Sequence, residues 1–425
     1  MPLHTKILVG LLLGAGAGVA VNLATGGGPS VQRLVSLVTE PVGRVWLNAL
    51  IMVVIPLVVS TLAVGVAGLG SVKRLGRIGA LTLISFLVLT TLSTALGLAL
   101  VNLVQPGAGL DADTRARLME AYRGESQGAM GLAQGALGVD LFVRMVPRNP
   151  IRAAADGEML AVIVFALFVG VALTMIADER AAPLRRLLES VAHVTIAIIE
   201  LVMRAAPVGV FALIFSVTAR FGFGILLQLL QYVLTVIGGL AIFLFVGYPL
   251  VLALVARRRP LEFLRKARLV MLTAFSTSSS NATLPTTLRT AQNDLGVAPE
   301  IAGFVVPLGA TMNMNGTALF EGVTVLFIAQ VFGVHLDVAD QLVVVLLSVV
   351  TAIGTAGVPG GSIPLLMMVL GIVGVPMEGI AIVLGVDRIL DMCRTVLNVT
   401  GDLVTAVIVD RFEGPVRPEI VVTEP

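Results

Sequence analysis

The chain carries a polar stretch within its last apolar segment, Asp387-Arg-Ile-Leu-Asp391-Met-Cys-Arg394-Thr-Val-Leu-Asn398-Val-Thr-Gly-Asp402. The five numbered side chains are spaced by four, three, four and four residues. An α-helix turns by about 100° per residue, so this spacing places all five on one narrow stripe. A charge at bilayer depth costs at least about 2.5–3.5 kcal/mol, so it indicates a functional site. We therefore predict that the stripe binds a polar ligand; the alternative is a helix-to-helix ion-pair seam.

The composition is that of an integral membrane protein. The 425 residues are 57% hydrophobic and only 13% charged, and the mean hydropathy is +1.01. Soluble domains carry about 25% charged residues. Long apolar runs, rather than short alternating segments, favour an all-α membrane protein over an outer-membrane barrel. The only cysteine, Cys393, excludes an intramolecular disulfide and a cysteine-based metal site.

The sequence gives no indication of an enzyme. The three histidines, His4, His193 and His335, are scattered along the chain. The glycine-rich residues 354–361 lack the Gly-Lys-Ser/Thr ending of a phosphate-binding loop. We therefore predict no enzymatic activity, no cofactor other than a coupling ion, and no nucleic-acid partner.

Apolar runs predict the membrane spans. The first six are expected at residues 7–23, 45–69, 78–104, 160–176, 187–221 and 225–256, and two more around 304–332 and 380–409. Pro56 is expected to kink the second span, and the fifth is expected to be interrupted near Pro207 and Gly209. Lys and Arg cluster after the even-numbered spans, so the positive-inside rule predicts cytoplasmic N- and C-termini in a bacterial inner membrane.

Three of the later apolar segments are interrupted by small polar residues. Residues 269–288 are broken at 276–281, residues 342–373 at 354–362, and the segment between them at 311–317. Gly-, Pro- and Ser-interrupted segments indicate the binding site of a secondary transporter. We predict that the first two form re-entrant helical hairpins; two ordinary glycine-kinked spans are the alternative.

The interruptions and the stripe offer complementary ligand groups. Half-helix N-termini favour a carboxylate, and the unwound residues 313–315 expose carbonyl oxygens suited to Na⁺. The planar fork of Arg394 suits a carboxylate, and Asp391 can accept hydrogen bonds from an ammonium group. Asn398 and Asp402 add side-chain oxygens one turn apart. A ligand with two carboxylates and one amine satisfies these groups together, so acidic amino acids are the predicted substrates.

Four motifs follow one another in a specific order. They are Ser278-Ser-Ser-Asn-Ala-Thr-Leu-Pro285, Pro307-Leu-Gly-Ala-Thr-Met-Asn-Met-Asn-Gly-Thr317, Gly354-Thr-Ala-Gly-Val-Pro-Gly360 and the stretch 387–402. Together they resemble the glutamate transporter family, the dicarboxylate/amino-acid:cation symporters. The resemblance extends over essentially the whole chain, including Pro106-Gly-Ala-Gly109 and residues 206–212.

The resemblance implies a homotrimer of eight transmembrane helices plus two re-entrant hairpins. A scaffold would comprise residues 1–77 (spans one and two) and 141–221 (spans four and five). An elevator-type transport domain would comprise residues 78–104 (span three) and 222–412 (span six, the first hairpin, span seven, the second hairpin and span eight). Residues 105–140 would form an extracytoplasmic loop, and residues 413–425 a cytoplasmic tail.

The resemblance also implies the binding residues. The substrate would contact Ser278, Ser280, Thr317, Val358, Ser362, Asp391, Arg394 and Asn398. Asp391 would take its amino group, Arg394 its side-chain carboxylate and Asn398 its α-carboxyl end. One Na⁺ site would use Gly309, Asn313, Asn398 and Asp402. A second would use Thr311 with carbonyl groups around Ala352, Ile353 and Thr355.

Several positions depart from the family pattern. Asn315 replaces the usual Asp of a third cation site, for which Thr90 and Asn313 remain. Phe86 and Leu89 stand where Tyr and Thr are common, which further weakens this third site.

Three other positions call for their own interpretations. Glu321 matches a proton-linked glutamate of eukaryotic members, so we hypothesise that proton coupling partly replaces sodium coupling. Ser362 stands where many members have Gly. Arg388 is interpreted as a local ion-pair partner of its neighbour Asp387.

The sequence therefore predicts a symporter for L-aspartate and/or L-glutamate, coupled to Na⁺ and/or H⁺ and surrounded by membrane lipid. The alternative within the family is a carrier of C4-dicarboxylates such as succinate, fumarate or malate. An ion channel is the alternative from a different class.

Overall fold

The computed structural model describes residues 3–68, 77–109, 146–156, 159–355, 357 and 360–413. Within these residues every regular element is a helix, which confirms the predicted all-α class. Most of the predicted loop 105–140 and nearly all of the tail 413–425 lie outside the described residues.

The α-helices are α1 (Leu3–Thr25), α2 (Pro29–Leu34), α3 (Glu40–Ile51), α4 (Val54–Gly68), α5 (Arg77–Val104), α6 (Pro150–Ala155), α7 (Met159–Met175), α8 (Asp178–Arg204), α9 (Ala206–Phe221), α10 (Gly224–Ile242), α11 (Tyr248–Val251), α12 (Pro260–Thr277), α13 (Ser280–Arg289), α14 (Pro299–Met312), α15 (Asn315–Phe332), α16 (Val338–Gly354), α17 (Ile363–Ile372) and α18 (Ile380–Glu413). Five-residue π-helical turns lie at Val35–Thr39, Phe243–Gly247, Leu252–Ala256 and Thr290–Asp294, and a 3₁₀ turn at Met377–Gly379.

The described helices are long and apolar enough for a multi-pass membrane protein. Six helical stretches, some of which combine several of these helices, meet the length and hydropathy of a membrane span. They are Thr5–Thr25, Pro29–Ala67, Arg77–Val104, Gly224–Ala256, Pro299–Phe332 and Ile382–Glu413. A seventh is added if the bent pair α8 and α9 is one span. The remaining predicted span, residues 160–176, is α7, whose 17 residues stand at the lower limit of about 17–25 for a spanning helix. Eight spans therefore remain a prediction.

The predicted start of the second span at residue 45 is wrong. The chain is helical from Pro29 onwards, through the π-helical turn to α3. Glu40 in this region pairs with Arg44 at 2.9 Å and with Arg220 of α9 at 2.6 Å. These charges lower the local hydropathy, and Pro41 follows Glu40 directly, so both features conceal the helix in the sequence. The helix is interrupted at Met52 and Val53, just before Pro56, whose ring clashes with the carbonyl of residue i−4.

The predicted interruption of the fifth span is confirmed. Helices α8 and α9 meet at an angle of 59°, with Ala205 between them. Pro207 follows in the first turn of α9, where its missing N–H costs no helical hydrogen bond.

Helix α1 packs closely against α9 through a row of glycines. Gly10, Gly14 and Gly18 face the backbone of α9, and a Cβ atom on Gly14 would lie 2.7 Å from the carbonyl oxygen of Phe211. Small residues at four-residue spacing allow helix backbones to approach each other in membranes. The glycines therefore fix α1 on α9.

Helix α18 lies at the centre of the fold. It contacts α12, α13, α14, α15, α5 and α10, and on another side α9 and α1. Helices α3, α4, α7 and α8 pack mainly with one another and with α9, and α3, α4 and α7 also contact α16 or α17. The helix that carries the polar stripe is thus enclosed mainly by the elements of the second half of the chain.

All three predicted interruptions are present as helix breaks. Helix α12 ends and α13 begins on either side of residues 278–279, which we call the first tip. Helices α16 and α17 are separated by residues 355–362, the second tip, of which 356, 358 and 359 lie outside the described residues. Helices α14 and α15 are separated at Asn313 and Met314. Helices α12 and α13 contact each other, as do α16 and α17; their re-entry into a membrane remains a prediction.

Candidate functional site

The polar stripe lies on α18 as predicted, and all of it is buried. Asp387, Asp391, Arg394, Asn398 and Asp402 are each at most 9% exposed. Arg394 is completely buried. Burying a charge is costly unless it is paired, so the partners of each group determine what the stripe can do.

Arg394 is held by two carboxylates and an aromatic ring. Its Nη2 atom lies 2.9 Å from Asp387 Oδ1 and 3.0 Å from Asp391 Oδ1. Its guanidinium carbon lies 3.8 Å from the centre of the Phe320 ring, a cation–π arrangement. The Nε and Nη1 atoms have no hydrogen-bond partner. The unused edge of the guanidinium group can therefore bind a further anion.

Arg388 does not pair with Asp387, so this prediction is wrong. Its Nη1 atom lies 3.8 Å from Asp391 Oδ2, whereas the ion pair of Asp387 is with Arg394. Adjacent residues of a helix point in different directions, while residues three apart face each other. The helix geometry therefore selects Asp391 as the partner of Arg388.

The first tip is a strained turn that ends in a helix cap. Ser278 adopts a left-handed conformation with φ of 51°, and Ser279 Oγ accepts a hydrogen bond from the Ala282 N–H at 3.2 Å. Ser278 and Ser280 are buried, and Ser278 Oγ has no partner. A non-glycine residue in this conformation is uncommon and is often found at functional sites.

The two tips contact each other. Ser279 Oγ donates a hydrogen bond of 2.7 Å to the carbonyl oxygen of Gly357, and the Asn281 N–H donates to the same oxygen at 3.3 Å. The Gly360 N–H of the second tip donates to Asp391 Oδ2 at 3.3 Å. The tips therefore close over the stripe.

A small cavity lies between the tips, α15 and α18; we call it the tip cavity. Its lining residues are Ser278, Ser280, Met314, Thr317, Thr355, Gly357, Ser362, Asp391, Thr395 and Asn398. Six of the eight predicted substrate residues are among them. Of the other two, Arg394 lies outside the lining, and Val358 lies outside the described residues.

Four lining residues, Met314, Thr355, Gly357 and Thr395, are not among the predicted substrate residues; Thr355 was predicted for the second cation site instead. Thr395 follows Asp391 by one helical turn, and its hydroxyl donates to the Asp391 carbonyl oxygen at 2.8 Å. The helical period of the stripe would have placed Thr395 on the same face. The sequence motif already contained Met314 and Gly357, without indicating which of its residues face inward.

The break between α14 and α15 is tied to α18. Asn398 Oδ1 accepts a 2.8 Å hydrogen bond from the Gly316 N–H, and its Nδ2 lies 3.3 Å from Thr317 Oγ1 and 3.2 Å from Met314 Sδ. Asn398 therefore replaces the helical hydrogen bonds that the break leaves open.

Gly309, Asn313, Asn398 and Asp402 are the residues predicted for one cation site. Two contacts join Gly309, Asn313 and Asp402, whereas the side chain of Asn398 bonds to residues 314–317. Asn313 Nδ2 donates to Asp402 Oδ1 at 2.8 Å. Gly309 faces the same carboxylate, which a Cβ atom would displace. Asp402 is 1% exposed, and no described cationic side chain forms an ion pair with it. Asn313 Oδ1 also lacks a partner. Unpaired oxygens of this kind are suitable ligands for a small hard cation.

The residues of the second predicted cation site come from the ends of α14 and α16, which contact each other. Ala352 and Thr355 are buried and Ile353 is half-buried. Thr311 is exposed, and its hydroxyl donates to Leu308 of its own helix at 3.0 Å. The hydroxyl of Thr355 likewise donates within its helix, to the Thr351 carbonyl oxygen at 2.8 Å.

Asn315 lies in a neutral hydrogen-bond network. Its Oδ1 accepts from Thr90 Oγ1 at 2.7 Å, and its Nδ2 donates to the Tyr248 hydroxyl at 2.8 Å. That hydroxyl in turn donates to the Leu397 carbonyl oxygen at 2.9 Å. Ser93 Oγ donates to the Asn315 carbonyl oxygen at 2.9 Å. The network includes no carboxylate, and the sequence had not indicated Tyr248 or Ser93.

Glu321 is fully buried on α15. Its Oε2 accepts a 2.6 Å hydrogen bond from Thr351 of α16, and its Oε1 has no partner. No described cationic side chain forms an ion pair with it. A carboxyl group in such a place is neutral or has a cation beside it, because an isolated buried charge is very costly.

Comparison with known proteins identifies the family. Residues 3–412 match the model of the sodium:dicarboxylate symporter family. The proton/sodium-glutamate symport protein of Bacillus subtilis is 37% identical over 98% of this chain and 94% of its own length. The proton/glutamate-aspartate symporter of Escherichia coli is 38% identical over 89% of this chain and 86% of its own. A C4-dicarboxylate transport protein of Bacillus subtilis is 32% identical over 88% and 87%. The chain therefore belongs to the sodium:dicarboxylate symporter family.

Proposed function

We propose that the protein is a secondary active symporter that takes up L-aspartate or L-glutamate together with Na⁺ and/or H⁺. The arrangement of Arg394 and Asp391 beside the tip cavity carries this proposal. Two guanidinium nitrogens without partners lie next to a carboxylate that lines the cavity. A cationic fork beside an anion suits a ligand that carries both a carboxylate and an ammonium group.

In this proposal each end of the substrate has its own partner. Asp391 accepts hydrogen bonds from the ammonium group, and Arg394 binds the side-chain carboxylate. Asn398 and the serines of the first tip bind the α-carboxylate. The proposed substrate residues are Ser278, Ser280, Thr317, Val358, Ser362, Asp391, Arg394 and Asn398.

C4-dicarboxylates are the second candidate substrates, because a C4-dicarboxylate transport protein is among the relatives. Succinate, fumarate and malate have no amine to balance Asp391. Like L-aspartate they carry two carboxylates, but without an ammonium group each would bring more net negative charge to a site whose own carboxylates already surround Arg394. The charge of Asp391 therefore favours an amino acid.

Charge balance supports coupling to cations. In this region the described carboxylates that are buried outnumber the guanidinium groups beside them by four to two. They are Glu321, Asp387, Asp391 and Asp402 against Arg388 and Arg394. Two negative charges remain when all groups are ionised, and an acidic amino acid adds a third. Cations must then enter with the substrate for it to cross a low-dielectric membrane.

We propose specific places for these cations. Asp402 with Gly309, Asn313 and Asn398 would hold one Na⁺. Thr311 with the carbonyl groups of Ala352, Ile353 and Thr355 would hold another, and Glu321 would carry a proton. The neutral network of Thr90 and Asn315 argues against a further Na⁺ at that position.

The proposed architecture is that of an elevator carrier. Residues 1–77 and 141–221 would form the scaffold of a homotrimer, and residues 78–104 and 222–412 the moving domain. The packing of α18 mainly with α5, α10 and α12–α15 supports this division. Both termini would face the cytoplasm of a bacterial inner membrane. Transport would proceed without covalent chemistry.

Uptake of labelled L-aspartate into proteoliposomes tests the proposal. Unlabelled L-glutamate should compete strongly, succinate weakly, and neutral amino acids least. Accumulation against a gradient should require an imposed Na⁺ or H⁺ gradient. Preferential competition by succinate would favour the dicarboxylate alternative, and flux without accumulation would favour a channel. Full accumulation with Na⁺ and no pH gradient would exclude the proton role of Glu321.

A further inference from the structure

Asp391 forms the wall between two cavities. It lines the tip cavity, and it also lines a second small cavity, which lies between α18, residues of α1, α3, α8 and α9, and Gly360 with Ile363. We call the second one the Trp46 cavity. Asp391 is the one residue common to the two linings. A cation can therefore approach its carboxylate from either side.

Arg388 approaches Asp391 from the Trp46 cavity. Its side chain is 17% exposed, and its Nη1 lies 3.8 Å from Asp391 Oδ2. Its Nε has no hydrogen-bond partner. The opposite wall is apolar, formed by Ile7, Trp46 and Met203 with neighbouring residues of α9. Among the described carboxylates, that of Asp391 is the one that forms an ion pair with Arg388.

The other oxygen of Asp391 is already used by Arg394 at 3.0 Å. The local set of Asp387, Asp391, Arg388 and Arg394 contains two negative and two positive charges, so it is neutral. Without Arg388 the empty site would hold one more uncompensated negative charge. Buried unpaired charge is strongly unfavourable, so the pair favours the site without substrate.

We propose that Arg388 is a tethered counter-cation of Asp391 that competes with the ammonium group of the substrate across the shared carboxylate. It stabilises the empty site and thereby weakens substrate binding. It also lets the empty site return across the membrane without binding a cation from solution to balance the charge of Asp391. This positioning role rests on the proposed uptake of acidic amino acids and concerns the same site.

The test compares net uptake with exchange in proteoliposomes. Exchange does not require the empty site to return, whereas net uptake does. Arg388→Gln should bind L-aspartate about three- to fivefold more tightly, which is the strength of a partly exposed ion pair. It should retain exchange and lose most of its net uptake. Arg388→Lys keeps the charge and should restore net uptake.

Arg33→Gln is the matched control, because Arg33 is exposed on α2, and it should behave like the wild type. Unchanged or weaker binding in Arg388→Gln would overturn the inference, as would an equal loss of exchange and net uptake. If the wild type exchanges L-aspartate and Arg388→Gln shows the same binding, exchange and net uptake, this inference alone is overturned. A wild type without any exchange of acidic amino acids overturns the proposed function and this inference with it.

Discussion

Arg394 has the largest side chain among the fully buried residues. Asp387 and Asp391 balance its charge in the absence of a ligand, yet two of its three guanidinium nitrogens have no hydrogen-bond partner. A packing arginine would be expected to satisfy its donors within the protein. The unused edge is the part that a substrate carboxylate would occupy.

Replacing Arg394 by Ala should abolish recognition of acidic substrates. Loss of one partner of a buried charge pair costs about 2 kcal/mol or more, which corresponds to at least about a thirtyfold loss of affinity. Competition binding of L-aspartate against a neutral amino acid measures this effect. The neutral amino acid should lose much less affinity. Undiminished L-aspartate uptake by the variant would contradict the assigned role.

Asp402 is the buried carboxylate best placed to hold a coupling Na⁺. Asp402→Asn removes its charge while keeping a similar shape, so the sodium concentration for half-maximal uptake should rise about tenfold or more, as expected for loss of a charged cation ligand. Asp410→Asn on the same helix is the matched control, since Asp410 instead accepts a hydrogen bond from the Ala298 N–H at 2.9 Å. An unaltered sodium dependence in Asp402→Asn would remove Asp402 from the cation site.

Helix breaks and the polar stripe could be predicted from the sequence, because both depend on local patterns. Small polar residues mark the breaks, and the helical period places the five polar groups of α18 on one face. Tertiary partners were less accessible. Thr90 and Asn315 are 225 positions apart, and only the family resemblance placed them at one site. No pattern in the sequence links either of them to Tyr248. The partner of Arg388 follows from helix geometry alone, because Asp391 lies three residues along the helix. The prediction of Asp387 as its partner is nevertheless wrong.

The predicted start of the second span is wrong for a different reason. The charged residues Arg33, Glu40 and Arg44 lower the mean hydropathy of this region, which therefore resembles a loop. In the structure Glu40 and Arg44 form an ion pair at 2.9 Å. A helix that is polar at one end and apolar at the other shows no boundary in its backbone. Hydropathy therefore locates the apolar part of a helix better than its first residue.

The Ser279 hydroxyl makes the shorter of the two hydrogen bonds to the Gly357 carbonyl oxygen of the second tip, and the backbone N–H of Asn281 makes the other. Ser279→Ala removes both the cap of α13 and the hydrogen bond to Gly357, and loss of a cap alone costs about 1 kcal/mol. Bound L-aspartate should therefore dissociate about fivefold faster or more, which a filter-binding time course measures. Ser276→Ala is the control, because Ser276 is exposed on α12 and bonds only to Leu272 of its own helix. Equal dissociation rates in the two variants would show that the tip contact does not retain the substrate.

At the scale of the molecule, the single Trp lies where the two proposed domains meet. Trp46 on α3 is buried and donates to the Val202 carbonyl oxygen at 3.1 Å. It shares its cavity with Asp387, Arg388 and Asp391 of α18. Movement of α18 past α3 would change the polarity around the indole ring.

Intrinsic fluorescence therefore reports the proposed domain movement. Addition of L-aspartate and Na⁺ to the purified protein should shift the emission of Trp46, and the Arg394→Ala variant should show no shift. The chain has no other Trp, so the signal has one origin. An emission maximum of the wild type that does not change at saturating substrate would argue against relative motion of α3 and α18.

Glu321 and Asp402, the two buried carboxyl groups without an ion-pair partner, would also make movement of the proposed transport domain depend on the membrane potential. A bacterial membrane is negative inside, and each elementary charge that crosses 100 mV gains or loses about 2.3 kcal/mol. An emptied domain in which both carboxyl groups are ionised carries two excess negative charges, and a proton on either group removes one of them. Excess negative charge is repelled from the cytoplasmic side, so the membrane potential itself would return the domain outward. Bound cations cancel this charge on the inward stroke. The resting voltage would then accelerate the unloaded half of the cycle while leaving a charge-balanced loaded half nearly unaffected.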